Sequence, residues 1–249
     1  MAKKRDNCII LLVDSPEPEK VSAELKTAFG PERAVHVNSD LLSHTYKMVK
    51  TFSEAILILS YEKTVHHPDL TWLDQEDPGF LEVKNRPHED RVQDAFRLAF
   101  FTGAKKALLL NHLSPNLKKD WLYQAFDSVN DKTVAVGANE DGSFYLLGLT
   151  QQNLKILEAP GFSHGKSAES LTERVKKNKL AVFSTPEAYA VTGEEALRKW
   201  MESREALPSL FREHAPLSEP AQAAQEAKKH HKRGLKGQPE TPTQEENKF

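Results

Sequence analysis

Residues 8–13, Cys-Ile-Ile-Leu-Leu-Val, constrain this chain more than any other segment; they form an apolar run rich in β-branched side chains that Asp14, Ser15 and Pro16 close. A strand with one wet face alternates apolar and polar residues. A run that is apolar on both faces reads instead as a strand buried inside a parallel sheet. Residues 55–60 and 106–110 repeat the pattern, and further strand-like runs stand at 133–137, 143–149 and 180–183. Helical periodicity falls between them. Residues 19–29 put Val21, Leu25 and Phe29 on one stripe before Gly30-Pro31 ends it, and residues 41–52 read as a second helix. Residues 90–102 turn Val92, Ala95, Phe96, Ala99 and Phe100 inward ahead of Gly103. Residues 118–129, 167–178 and 193–202 complete the helices, and residues 66–79, with their prolines, aspartates and Trp72, read as irregular. Strands alternating with helices, joined by crossovers long enough for parallel pairing, predict an α/β fold: an open, mostly parallel sheet with helices on both faces.

Composition narrows the function classes. Hydrophobic residues make up 39% of the 249 and charged residues 28%, so one core is affordable while part of the chain stays solvated. The formal net charge is −2, which gives no global basic field for nucleic acid. A single cysteine, Cys8, excludes an intramolecular disulfide and any multi-cysteine zinc or iron–sulfur site. The apolar run 8–13 is too short for a membrane span or a signal-peptide core, so the expectation is a cytoplasmic protein with no membrane partner. The expected domain is 1–216. Residues 217–249 read as a disordered tail, polar and partly basic, with Lys228, Lys229, Lys232 and Arg233 around His230-His231.

In an open α/β sheet, ligands bind outside the carboxyl ends of the strands, which singles out three loops. The first, 14–20, holds Asp14, Glu17 and Glu19 with Lys20 as its one cation and no glycine. It suits a capped helix start better than a phosphate cradle, which needs close backbone N–H groups and positive charge. The second offers Asn111, His112 and Ser114 without a carboxylate; His112 reads as a ligand contact or as a hydrogen-bonded loop residue. The third offers Glu140 and Asp141 before Gly142. Paired carboxylates there suit a metal or a general base, and Asp-Gly equally suits a tight turn. His66-His67, near Asp69, are adjacent in an extended segment and so point to opposite sides.

The order of these motifs resembles a bacterial glycosyltransferase-like family, the radical-SAM/selenodomain-associated transferase type, within the nucleotide-diphospho-sugar transferase superfamily. Residues 137–149, Gly-Ala-Asn-Glu-Asp-Gly-Ser-Phe-Tyr-Leu-Leu-Gly-Leu, are similar to that family's Gly-Pro-Ala-x-Asp-Gly-Gly-Tyr-x-Leu-x-Gly-Leu stretch. Asp90-Arg91-Val92-Gln93-Asp94-Ala95-Phe96 resembles its Glu-Arg-Met-x-x-Ala-Phe helix, residues 108–117 its central strand and loop, and residues 16–25 its first loop. The resemblance spans about residues 8–201. It implies a glycosyltransferase-A-like, Rossmann-like fold, a nucleotide-sugar as partner and, if the chain is active, a divalent metal (Mn or Mg). Under it Asp141 and Glu140 would take the catalytic role, with Asp141 the metal ligand. Lys20 and Arg91 would face phosphates, and Asn111, His112 and Ser114 would contact the donor.

The departures fall on charged positions. The first loop has Ser22-Ala23-Glu24 where the family has Lys-Thr-Arg, and the central loop has Leu113 where it has Asp. His88-Glu89 replaces Leu-Gly, His164 replaces a tryptophan, and residues 190–197 lose three aspartates. Core and turn positions survive. The expectation is therefore a retained fold with an eroded site: a catalytically degenerate protein acting as a binding or regulatory module, with a nucleotide-sugar or a protein as partner. The alternative is an active, metal-assisted transferase with a rebuilt site.

Overall fold

A computed structural model of the chain describes residues 6–84, 87–158, 161–162 and 167–205. Among the described residues seven strands form one sheet: β1 (Asn7–Val13), β2 (Ile56–Tyr61), β3 (Leu81–Glu82), β4 (Lys106–Leu110), β5 (Thr133–Ala138), β6 (Phe144–Leu149) and β7 (Ala181–Ser184), in the order β3-β2-β1-β4-β6-β5-β7. The helices are α1 (Ala23–Phe29), α2 (Pro31–Lys50), α3 (His88–Phe101), α4 (Lys119–Ser128), α5 (Ser167–Lys177) and α6 (Glu194–Glu205); a 3-10 segment spans Gln151–Leu157. β1 pairs in parallel with β2 and β4, as does β2 with β3 and β5 with β7. The mixed α/β architecture is the predicted one.

β1 is buried along its whole length, and its alternate residues serve opposite layers. Cys8, Ile10 and Leu12 join the core built with Val92, Phe96 and Phe100 of α3 and Leu171 and Val175 of α5. Ile9, Leu11 and Val13 join the other core, with Leu42, Tyr46 and Val49 of α2 and Leu122 and Phe126 of α4. This two-sided burial is the physical reason the strand has no polar alternation. A smaller cluster packs α1, the start of α2 and α6 around Leu25, Leu41 and Trp200.

Two features of the helices depart from the sequence reading. Gly30-Pro31 both ends α1 and opens α2: Gly30, at φ 76°, donates its N–H to the carbonyl of Lys26, and Pro31 occupies the first turn of α2, where a missing N–H costs nothing. Helix α2 thus begins ten residues before residue 41, with Ala34, Val37 and Asn38 among its buried positions. Helix α1 starts at Ala23, where the Ser22 hydroxyl accepts from the N–H of Leu25, so residues 19–22 are not helical. Strand β6 runs antiparallel to both β4 and β5, because a four-residue turn at 139–142 folds it straight back.

The described residues up to Arg204 form one compact unit. The boundary expected at residue 216, the tail, its basic cluster and His164 lie outside the described residues. Among the described residues, no helix is long and apolar enough to cross a membrane.

Candidate functional site

Parallel strands β1 and β4 end at one edge of the sheet, and the β5–β6 turn comes to the same edge because β6 starts there. The result is a cleft of about 790 Å³. Leu12 and Asp14 line it from β1, and Leu109, Leu110, Asn111, His112 and Leu113 from β4 and its loop. Asp141, Ser143 and Phe144 border it on the turn side, Ser167 at the start of α5, Ser22, Ala23 and Glu24 at the start of α1, and Asn38 on α2. His88, Ala190 and Thr192 complete the wall. Its charged residues are Asp14, Glu24 and Asp141; neither lysine nor arginine lines it among the described residues.

The turn is held by a chain of hydrogen bonds. The Ser114 hydroxyl donates to Asn139 Oδ1 at 2.9 Å, Asn139 Nδ2 donates to Ser143 Oγ at 2.9 Å, and Ser143 Oγ donates to Asp141 Oδ1 at 2.6 Å. The Ser143 N–H donates to the same carboxylate oxygen at 2.9 Å, and Gly142, at φ 86°, supplies the left-handed residue the turn requires. The Asp-Gly turn reading and the placement of Asp141 in the wall are therefore one fact: the turn aims the carboxylate.

His112 is buried, and its Nε2 stands 2.8 Å from Asn38 Oδ1, which makes Nε2 the protonated nitrogen. Burial pushes its imidazole down to about 4, against a partial upward pull from Asp14. It is a neutral hydrogen-bonding group at neutral pH and supplies no positive charge to the cleft.

The other predicted site residues lie outside this wall. The Arg91 guanidinium, buried, donates from Nη1 to Asp14 Oδ1 at 2.6 Å and from Nη2 to the carbonyls of Val13 and Ser60, each at 3.1 Å. Lys20 pairs with Glu62 at 2.9 Å, and Glu140 with Lys199 of α6 at 3.5 Å. Ser114 is buried and is linked to the cleft wall through Asn139 and Ser143. Of the first loop's carboxylates, Glu17 accepts from Thr64 and lies 3.1 Å from His67 Nδ1, and these bonds, led by that of Thr64, hold it below the usual carboxylate range. The structure thus gathers Asp141, Asn111 and His112, and spends Lys20, Arg91 and Glu140 on other pairs.

Sequence reasoning missed Asn38, Asn139 and Ser143. Asn38 was findable: on a helix starting at Pro31 it falls among the core positions 34, 37, 41 and 42, and a polar residue on a core stripe needs a partner. Asn139 and Ser143 carry no such pattern, because their bonds are set by the turn. As for metal, the described residues contain no group of three or more His, Cys, Asp or Glu side chains placed to hold an ion.

The fold resembles several solved structures. One from Desulfovibrio desulfuricans G20, ascribed to a nucleotide-diphospho-sugar transferase, aligns with a TM-score of 0.70 at 18% identity, over 82% of this chain and 90% of that one. A nucleotidyl transferase from Methanothermobacter thermautotrophicus aligns at 0.54 and 10% identity, over 79% and 96%. The 4-diphosphocytidyl-2C-methyl-D-erythritol synthase of Anaerococcus prevotii aligns at 0.54 and 11%, over 82% and 100%. These superpositions show a shared glycosyltransferase-A-like fold and, at identities this low, the fold alone. No curated protein matches the sequence. The family described as an uncharacterized protein conserved in bacteria (DUF2064) matches residues 30–164, more than half of the chain, and this protein belongs to it.

Proposed function

We propose that this protein is a glycosyltransferase-like binding or regulatory module that has lost transfer chemistry. One observation carries the reading: the cleft at the strand ends is lined by Asp14, Glu24 and Asp141 with no lysine or arginine among the described residues. A carboxylate about 4 Å from a phosphate oxygen opposes it by about 4 kcal/mol at an effective dielectric near 20. Arg91, the cation nearest in sequence logic to a phosphate anchor, is already committed to Asp14 and two carbonyls. Beside those carboxylates the cleft offers apolar surface and neutral hydrogen-bonding groups, suited to an uncharged or cationic ligand or a protein side chain.

The second reading is an active, metal-assisted transferase, favoured by Asp14 and Asp141 lining one cleft. A magnesium ion that arrives with substrate phosphates needs only one or two protein carboxylates. Thermal unfolding separates the two readings. Nucleoside diphosphates and nucleotide-sugars at millimolar concentration, with and without magnesium or manganese, are expected to leave the transition where it is. A ligand present at about 100 times its dissociation constant adds about 2.7 kcal/mol, a shift of several degrees. Such a shift seen only with metal would favour the transferase and name its donor; a shift without metal would mean that cations outside the described wall bind the phosphates.

A further inference from the structure

We propose that the cleft at the strand ends binds an organic cation rich in N–H donors, a primary ammonium or guanidinium compound. The inference deepens the functional reading of that cleft and rests on it.

Two observations carry it. The first is charge that the chain leaves unanswered. Asp14 shares its charge with Arg91, but Glu24 and Asp141, which line the same cleft, have no cationic partner among the described residues. Asp141 is held by neutral donors, the N–H and the hydroxyl of Ser143, both on Oδ1. Its Oδ2 and the Glu24 carboxylate stay open as acceptors. Two uncompensated carboxylates on one wall raise its energy, and a cation between them lowers it.

The second is a buried acceptor that receives no donor. His112 is 9% exposed and lines the cleft. Its Nε2–H is spent on Asn38 Oδ1, so Nδ1 carries the lone pair, and nothing among the described residues donates to it. A polar side chain this deep normally has its hydrogen bonds made. The ring is neutral at neutral pH, so it accepts from a cation without repelling it. The carboxamides of Asn38 and Asn111 add neutral donors, which orient a ligand without cancelling the negative charge. Carboxylate oxygens and an imidazole nitrogen form an acceptor set that an ammonium or a guanidinium, which only donate, meets with charge-assisted bonds. A neutral ligand would leave both carboxylates uncompensated.

Isothermal titration calorimetry on the full chain, at pH about 8 and low salt, tests the proposal; an ordinary imidazole is neutral there and screening is weak. The probes are putrescine, agmatine and the bis-quaternary form of putrescine, in which every N–H is replaced by N–methyl. Putrescine or agmatine is expected to bind with a Kd below about 1 mM, and the bis-quaternary form, of equal charge, about tenfold more weakly or worse. Asp141→Asn keeps an Oδ1 acceptor for Ser143 and is expected to weaken amine binding about fivefold or more. Glu24→Gln, on the exposed start of α1, is expected to do the same and keeps the test decisive if the first variant misfolds. No saturable binding of either amine, equal affinity for the bis-quaternary form, or indifference to both substitutions overturns the proposal. Parallel titrations with nucleotide-sugars and magnesium keep the two failures apart. Silence from amines and nucleotide-sugars alike strikes this proposal alone, whereas silent amines beside metal-dependent nucleotide-sugar binding strike the binding-module reading with it.

Discussion

Arg91 and Asp14 stand 2.6 Å apart, Nη1 to Oδ1, and the same guanidinium donates to the last carbonyl of β1, that of Val13, and to the carbonyl of Ser60 near the end of β2. One side chain from α3 thus ties together the ends of two parallel strands, of which β1 lines the cleft. Removing it leaves a carboxylate and two carbonyls without their donor. Arg91→Ala is expected to cost about 3 kcal/mol or more. Urea unfolding checks this; a loss below about 1 kcal/mol would show that the contacts are replaced by water.

His112 makes stability sensitive to acid. The unfolded imidazole takes a proton near pH 6.5, but in the folded chain burial delays protonation to about 4. Between those values the unfolded state holds more protons, so stability is fully present above about 6.5 and is lost as pH falls toward 4. The loss amounts to about 3 kcal/mol once the pH is below both values. Burial lowers His44 as well, and it adds in the same direction. His112→Gln, which keeps a donor for Asn38, is expected to flatten the dependence, as read from urea midpoints at pH about 7 and about 5.

Asn139 is the middle of the chain of hydrogen bonds that aims Asp141. Asn139→Ala would leave the buried Ser114 hydroxyl without its acceptor and Ser143 without its donor. A cost of about 2–3 kcal/mol is expected, against about 1 kcal/mol for Ser114→Ala. Amide exchange would show the loss concentrated in the β5–β6 turn; protection there equal to the parent's would contradict the role assigned to Asn139.

Gly148 marks where β6 has no room for a side chain. A Cβ there would meet Leu108 Cδ2 at 2.6 Å and Val129 Cγ2 at 2.8 Å. Gly148→Ala is expected to destabilise by about 1–3 kcal/mol through overpacking, although alanine outside such a contact is the better-tolerated residue. Calorimetry on the purified variant settles the sign.

Local chemistry made most of the fold legible. Both-faced apolar runs placed β1, β2 and β4, because burial on two sides leaves a mark in the run itself; for β4 the predicted and observed limits coincide. The Asp-Gly turn was readable for the same reason, as a left-handed residue favours glycine. What local pattern does not encode is which partner a charge finds. Lys20 and Arg91 look like phosphate-facing cations beside the motifs they resemble. Only the folded chain brings Glu62 to the first, and Asp14, 77 residues distant, to the second. The exposure of Phe101 at the end of α3 is likewise a fact of packing. Hydrophobic period is a property of neighbours along the chain, so the sequence by itself determined the layers. Charge pairing and the open cleft depend on distances across it, and those the tertiary structure alone decided.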